Sequence, residues 1–500
     1  MSITSYRPAD GTVAGSVPDT TPAEVDAVVA AASAAAPLLA AASPTTRAGW
    51  LLAVATALEA HADELAALAD TETALGLPRL TGEVGRTAAQ LRFYAGVAVE
   101  GSWLGVSVDS ATPTSPELVR LNRSLGPVAV FGASNFPFAF GVLGNDTASA
   151  LAVGCPVVAK AHPAHALTCE RLAEIATAAL TEAGAPAGAF GMVAGMDAGV
   201  GLVRADGITA VGFTGSQAGG LALWRLANER AVVIPVFAEM GTVNPAVLTP
   251  RALEHPDRLE QVARGFVGSF TLGSGQFCTK PGMLLAPAGE GVAEAVGAAL
   301  TEAAPSATML TERIASAAID GVERLLAAGA TEVARAKGPG AGWSADAVVL
   351  RAAAGALRDG SPLLEECFGP VAIVVEYADD AELATALDAL QGSLAGTVVT
   401  DGSGTDPGAA DLVDRLAGKV GRVTVDDWPT GVAWTWAQQH GGPWPSTSAP
   451  AATSVGAAAL GRWVRPVTYQ SVPDAALPEA ARAANPWQLP RRVDGVLALP

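Results

Sequence analysis

Between Pro127 and Glu239, short apolar runs rich in β-branched residues alternate with alanine-rich runs of helical periodicity. The apolar runs are PVAVFG (127–132), CPVVAK (155–160), GMVAG (191–195), ITAVGF (208–213) and AVVIPVFAE (231–239), with helices predicted near 165–183 and from Gly215 to about Asn228. Strands this apolar on both faces must be covered on both sides, and helical crossovers supply the cover. The rhythm predicts an α/β chain with a parallel, doubly wound sheet. Helices are predicted over 21–100, and a second α/β block over about 244–425 includes a strand VAIVVEY (371–377). The remaining stretch, 426–500, is rich in Trp, Pro, Gly and Ser and is predicted to form long functional or interfacial loops.

Half of the 500 residues are apolar, enough for sizeable cores and roughly two to four domains. Acidic residues outnumber basic ones 49 to 30, and no Lys/Arg block interrupts the excess, so a nucleic-acid partner is not expected. The run Val25–Ser43 is mostly alanine, carries Asp26 and is interrupted by Pro37, which predicts a soluble helix rather than a membrane span. Thr21, Pro22 and Glu24 mark its start as an N-cap, first-turn proline and capping box. The first residues lack the charged-then-apolar order of a signal peptide. Cys155, Cys169, Cys278 and Cys367 show no paired or metal-type spacing, so a cytoplasmic location and no metal are expected.

Several polar residues fall where predicted strands end, the edge at which open α/β sheets bind ligands. Asn135, just after the first strand, is either a turn-former before Phe-Pro or a donor to an oxygen gaining negative charge. Lys160 either snorkels or holds a ribose hydroxyl or phosphate. The turn VGFTGSQAGG (211–220) opens a helix whose N-terminus suits a phosphate, although an ordinary βα turn reads the same way. Glu239 terminates an apolar strand; it is a solvent-facing end residue, or a desolvated carboxylate whose pKa rises towards that of a general base. Glu366 alone reads as a surface acid. Cys278, in the glycine-rich GSGQFCTKPG (273–282), alone reads as a small buried hydrophobe.

Their order changes the reading. Asn135-Phe136-Pro137, Val157-Val158-Ala159-Lys160, Phe213-Thr214-Gly215-Ser216, Glu239-Met240-Gly241-Thr242, Gly275-Gln276-Phe277-Cys278 and Glu365-Glu366-Cys367-Phe368-Gly369-Pro370 together resemble the NAD(P)-dependent aldehyde dehydrogenase superfamily over nearly the whole chain. The resemblance implies a Rossmann-like cofactor domain (1–107 and 127–241), an α/β catalytic domain (242–455) and an oligomerisation element (108–126 and 456–500). It implies Cys278 as nucleophile, Asn135 with the Cys278 backbone N–H as oxyanion hole, and Glu239 as general base. Lys160, Gly195, Thr214, Gly215, Ser216, Met240, Glu366 and Phe368 would hold NAD or NADP. It further implies a small aldehyde substrate and a homodimer or homotetramer. No histidine is required for this chemistry, and none of His61, His162, His165, His255 and His440 is near Cys278 in sequence.

Departures narrow the resemblance. Ser134 stands where an aromatic residue often precedes Asn-Phe-Pro, Met240 and Thr242 interrupt Glu-Leu-Gly-Gly, and Pro163 replaces the glutamate that accepts from the adenosine ribose. Without that carboxylate a 2′-phosphate meets less repulsion, which admits NADP beside NAD. With GASNFPFAF, KAHPAHA, HGGPWPSTS and the tail RPVTYQSVPDAALPEAARAANP, the chain is similar to the 2,5-dioxopentanoate (α-ketoglutarate semialdehyde) dehydrogenase branch, related to NADP-linked fatty aldehyde dehydrogenases. The expected reaction is 2,5-dioxopentanoate to 2-oxoglutarate, with fatty or other semialdehydes as the alternative. Arg86 would then face the substrate carboxylate, with Gln90 one turn later, an exposed helix arginine being the equal alternative. A CoA-acylating dehydrogenase usually lacks the base at Glu239, and a cysteine acyltransferase would transfer no hydride.

Overall fold

The computed structural model describes residues 1–254 and 256–500; His255, one of the five histidines, lies outside the described residues. The apolar runs of the first block form β1 (Val128–Phe131), β2 (Val157–Lys160), β3 (Phe190–Val193), β4 (Ala210–Gly215) and β5 (Val236–Met240). They pair in parallel in the order β3-β2-β1-β4-β5. All residues of β1 and β2 are buried, as a sheet covered on both faces demands. The last strand starts later than its apolar run: Pro235 has no N–H for the ladder, and Val232 and Val233 before it are exposed. Strand order reverses between β1 and β4, which opens a crevice at their carboxyl ends.

The helix Pro22–Ala41 begins with the predicted Thr21–Glu24 capping box and lays Val25, Val29, Ala32, Ala35 and Leu39 into the core. By length and apolar composition it is the one described helix that could cross a membrane. The expected interruption at Pro37 does not occur. Only one turn remains beyond it, so the missing N–H removes a single intrahelical bond near an end that packing already holds.

The second block forms β6 (Pro245–Leu248), β7 (Met283–Pro287), β8 (Thr331–Ala336), β9 (Ala347–Ala353), β10 (Val371–Tyr377), β11 (Ser393–Val399) and β12 (Val420–Val425). Their order is β8-β9-β10-β7-β6-β11-β12, with only the edge pair β8–β9 antiparallel. A third sheet joins Val106–Asp109 and Leu118–Ser124 to Val464–Gln470, Arg491–Val493 and Val496–Ala498. Trp463, fully buried, ties the start of that C-terminal segment to the first sheet: its indole N–H donates to Ser149 Oγ at 2.8 Å, and its ring meets Phe237 edge-on. Between β12 and Trp463 the chain has no helix or strand until the short 3-10 turn Ala457–Trp463, yet a part of it lies against β5, where Met240 N donates to Ser446 O and Ser448 N to Ala238 O.

Candidate active site

The crevice beyond β1 and β4 is a cavity of about 550 Å³. Asn135, Lys160, Thr214, Gly215, Ser216, Glu239, Cys278, Glu366 and Phe368 all line it. Gly195 stands at its rim as N-cap of the helix Met196–Arg204, whose Met196, Gly199 and Val200 line the wall. Met240 departs from the sequence reading. Strand alternation turns it away from the cavity, and it is buried in the apolar core beneath the helix Gln217–Asn228, where a Cβ on Gly220 would strike its sulfur. Gly241 takes the place at the wall instead; any side chain there would overlap the Glu366 carboxylate.

Cys278 follows the helix Pro256–Thr271 and a turn in which Gly273, Ser274 and Gly275 all have positive φ. Gly275 is required for a second reason: a Cβ would lie about 2.2 Å from the Gly369 carbonyl, so the cysteine loop and the Phe-Gly-Pro turn touch backbone to backbone. Asn244 fixes the other side by donating to the Cys278 and Lys280 carbonyls at 2.7 and 3.1 Å. The Asn135 amide donates to Gln276 O at 2.7 Å, which leaves its second N–H for another acceptor.

Cys278 is half-buried, its sulfur open to the cavity but poorly hydrated. Desolvation first, then the Glu239 and Glu366 carboxylates, push the thiol well above its ordinary pKa. Its resting form at neutral pH is therefore the thiol. Glu239, 4 % exposed, was expected to have a raised pKa, and the opposite holds. Burial does push it up, but His440, the Ser454 hydroxyl and the Cys278 thiol outweigh the burial and hold the carboxyl below its usual range.

His440 is the residue that sequence distance concealed. Its Nε2 lies 3.8 Å from Cys278 Sγ and 3.0 Å from Glu239 Oε1, the latter a close polar contact without the alignment of a straight hydrogen bond. Its Nδ1 is buried without a partner. The three ligand-type atoms of Glu239, Cys278 and His440 lie within 4.8 Å of one another. A thiol, a carboxylate and an imidazole thus stand close enough for a proton to pass among them.

At the far end Lys160, 8 % exposed at the tip of β2, turns towards the cavity with its pKa lowered by burial. Ser216 caps the helix Gln217–Asn228 by accepting from Gly219 N at 3.3 Å, and the helix N-terminus opens on the same wall. Glu366 has a buried oxygen, Oε1, without a partner, and burial, only partly offset by Lys280, pushes its pKa up to about 7. An orphaned acceptor, an unpaired ammonium and a helix start suit the ribose hydroxyls and phosphates of a dinucleotide. The Glu366 shift has a consequence for stability. Between its ordinary value of 4.5 and about 7 the native state holds a proton that the unfolded state has released, so stability falls as pH rises through this window. Denaturant midpoints at pH 5 and 7.5 are expected to differ less in Glu366→Gln than in the unsubstituted protein; an identical difference contradicts the shift.

The aldehyde dehydrogenase family profile matches residues 1–448. The chain belongs to the aldehyde dehydrogenase family. Among its family relatives is alpha-ketoglutaric semialdehyde dehydrogenase 2 of Azospirillum brasilense, 44% identical over 90% of this chain and 88% of that protein. Another is alpha-ketoglutaric semialdehyde dehydrogenase of Acinetobacter baylyi, 40% identical over 90% of this chain and 87% of that one. In fold it is similar to the NAD-dependent aldehyde dehydrogenase of Sinorhizobium meliloti, with a TM-score of 0.80 and 24% identity over 95% of this chain and 92% of that one. The chain is thus an aldehyde dehydrogenase, an enzyme that oxidises an aldehyde with a nicotinamide cofactor.

Neither Arg86 nor Gln90 lines the cavity beyond β1 and β4. Arg86 is half-buried rather than exposed: it donates to Val432 O at 2.9 Å, and its guanidinium sits over the rings of Trp434, Phe140 and Phe136 at 5.0, 5.7 and 5.9 Å. Phe136 meets Phe277, next to Cys278, edge-on at 5.1 Å, so this aromatic box adjoins the cysteine loop. Gln90 is fully buried, and neither amide atom has a partner.

Proposed function

We propose that the enzyme oxidises 2,5-dioxopentanoate to 2-oxoglutarate, with Cys278 as nucleophile, Asn135 and the Cys278 N–H as oxyanion hole, and Glu239 as general base. The Cys278 sulfur adds to the aldehyde carbon while its proton passes to Glu239 or His440, the two groups within reach. Asn135 directs its free N–H at the oxygen that gains charge. A bound nicotinamide supplies the hydride acceptor for the oxidation that leaves a thioester on Cys278. Glu239 then takes a proton from water, and the resulting hydroxide releases the acid.

Arg86 carries the substrate reading. A guanidinium walled by aromatic rings, with its Nε lacking a partner, suits a carboxylate at the far end of a short aldehyde better than a hydrocarbon tail. The names of the two similar relatives support the same reading. For the cofactor we favour NADP beside NAD. Lys160, His162 and Arg313 line the cavity together with Pro163, while its only lining carboxylates among the described residues, Glu239 and Glu366, stand with Cys278. We also propose that 1–107 with 127–241 binds the dinucleotide and that 242–455 carries the nucleophile. The segments 108–126 and 456–500, with Val496 and Leu497 exposed on an edge strand, would join cytoplasmic homodimers or homotetramers.

Initial rates of NADPH and NADH formation with 2,5-dioxopentanoate, succinate semialdehyde and hexanal test the assignment. The 2-oxo acid semialdehyde is expected to have the highest kcat/KM, and a preference for hexanal contradicts it. Arg86→Ala is expected to cost about 10- to 100-fold in kcat/KM for 2,5-dioxopentanoate, the worth of a charge-assisted hydrogen bond, with hexanal nearly unaffected. Equal losses would assign Arg86 to bracing Val432 alone.

A further inference from the structure

The long C-terminal loop presents more than His440 to the base. Two of its segments, 437–442 and 452–455, are clasped together: Ser454 N donates to His440 O at 2.8 Å, His440 N to Thr453 Oγ1 at 2.8 Å, and the Gln439 side chain to Ala452 O at 2.9 Å. This clasp grips both oxygens of one carboxylate. His440 Nε2 meets Glu239 Oε1, and the buried Ser454 hydroxyl donates to Glu239 Oε2 at 2.6 Å. Beneath it, Arg462 Nη2 lies 3.4 Å from Ser454 O and forms a buried ion pair with Asp146 at 2.7 Å, so the clasp is anchored to the helix Asn145–Ala152.

We propose that Ser454 is a positioning residue for thioester hydrolysis: its hydroxyl holds the Glu239 carboxylate turned towards Cys278, where the hydrolytic water must be deprotonated. This rests on Glu239 being the base. A carboxylate at a strand end has several rotamers, and the Ser454 hydrogen bond at Oε2, with the close His440 contact at Oε1, selects one of them. A 2.6 Å bond to an anion is of the charge-assisted kind, and its loss frees both the orientation and the charge of the acceptor. The groups facing Glu239 are His440, Ser454 and Cys278 at contact, with the Asp146–Arg462 pair behind and Glu366 across the sulfur. Only Ser454 among the contacting three is neither a nucleophile nor a titratable base, so its removal isolates positioning.

Ser454→Ala is expected to lower steady-state turnover about 10- to 100-fold, the effect of losing one hydrogen bond to a charged group. The pre-steady-state burst of NADPH, which reports thioester formation, should change less than about threefold. The acid limb of the kcat–pH profile should move to higher pH, because a donor to the ionised form has been removed. In a Glu239→Gln background the same substitution should cost less than about threefold, since a residue acting through Glu239 has nothing left to act on. Burst and turnover falling together, or full additivity with Glu239→Gln, would assign Ser454 to general packing and overturn the inference. So would unchanged turnover in Ser454→Ala. Full turnover by Glu239→Gln itself would instead overturn the base assignment on which the inference stands.

Discussion

Cys278→Ser is expected to lower kcat/KM by on the order of 10⁴-fold or more, while cofactor binding, followed by quenching of protein fluorescence, stays within about threefold. The reason lies in the environment of the sulfur. The thiol is already pushed well above its ordinary pKa by desolvation and by Glu239 and Glu366, and a hydroxyl in the same place starts far higher still. A sulfur can transfer its proton to Glu239 or His440 as it attacks, because the thiolate that forms is a soft and only moderately basic anion. A serine hydroxyl would need a much larger proton-transfer driving force from the same two neighbours and is a harder, poorer nucleophile towards the aldehyde carbon in this setting. The cofactor contacts proposed at Lys160 and Ser216, which line the same cavity, are left untouched by the substitution. Activity retained within tenfold in the serine variant would move the nucleophile elsewhere.

The second large effect is expected at Glu239. Glu239→Gln keeps the shape and the Ser454 contact but removes the proposed base, and turnover should fall by about 10²- to 10⁴-fold. The loss should fall on hydrolysis, so that one equivalent of reduced nicotinamide per site forms and then formation nearly stops. The pH behaviour follows from a carboxyl held below 4.5 by His440, Ser454 and Cys278: it stays ionised throughout the neutral range, and its contribution disappears only as pH falls through that lowered value. A lowered pKa makes Glu239 a weak base in the thermodynamic sense. Its effectiveness must therefore come from fixed distance and orientation rather than from proton affinity, which is why the clasp around it matters.

Much of this site is legible in the sequence because sheet geometry converts chain position into spatial position. A residue that ends a β-branched run in a βαβ rhythm lies on the carboxyl edge, so Asn135, Lys160, Thr214, Ser216 and Glu239 fall around one crevice. Met240, which the resemblance implies as a cofactor contact, is ruled out by that same geometry, because successive strand residues face opposite sides and the one after Glu239 must turn into the core. His440 and Ser454 leave no periodic signal. They sit in a stretch without helix or strand, 162 and 176 residues beyond Cys278 and held by side chain-to-backbone bonds, and only the closed structure brings them to Glu239. Charge balance was equally hidden: burial of Glu239 was readable from its apolar strand, but the groups that reverse the sign of its shift were not. Arg86 shows the intermediate case, since helical position gave the face but not the aromatic box that encloses it.

Mass analysis of the trapped intermediate is the most direct test. Glu239→Gln is mixed with 2,5-dioxopentanoate and NADP, quenched in acid after one turnover and digested. Covalent catalysis at Cys278 predicts one 2-oxoglutaryl group on the peptide that carries Cys278, and none on the peptides with Cys155, Cys169 or Cys367. An acyl group on another residue, or NADPH formed in full burst with no adduct on Cys278, contradicts it.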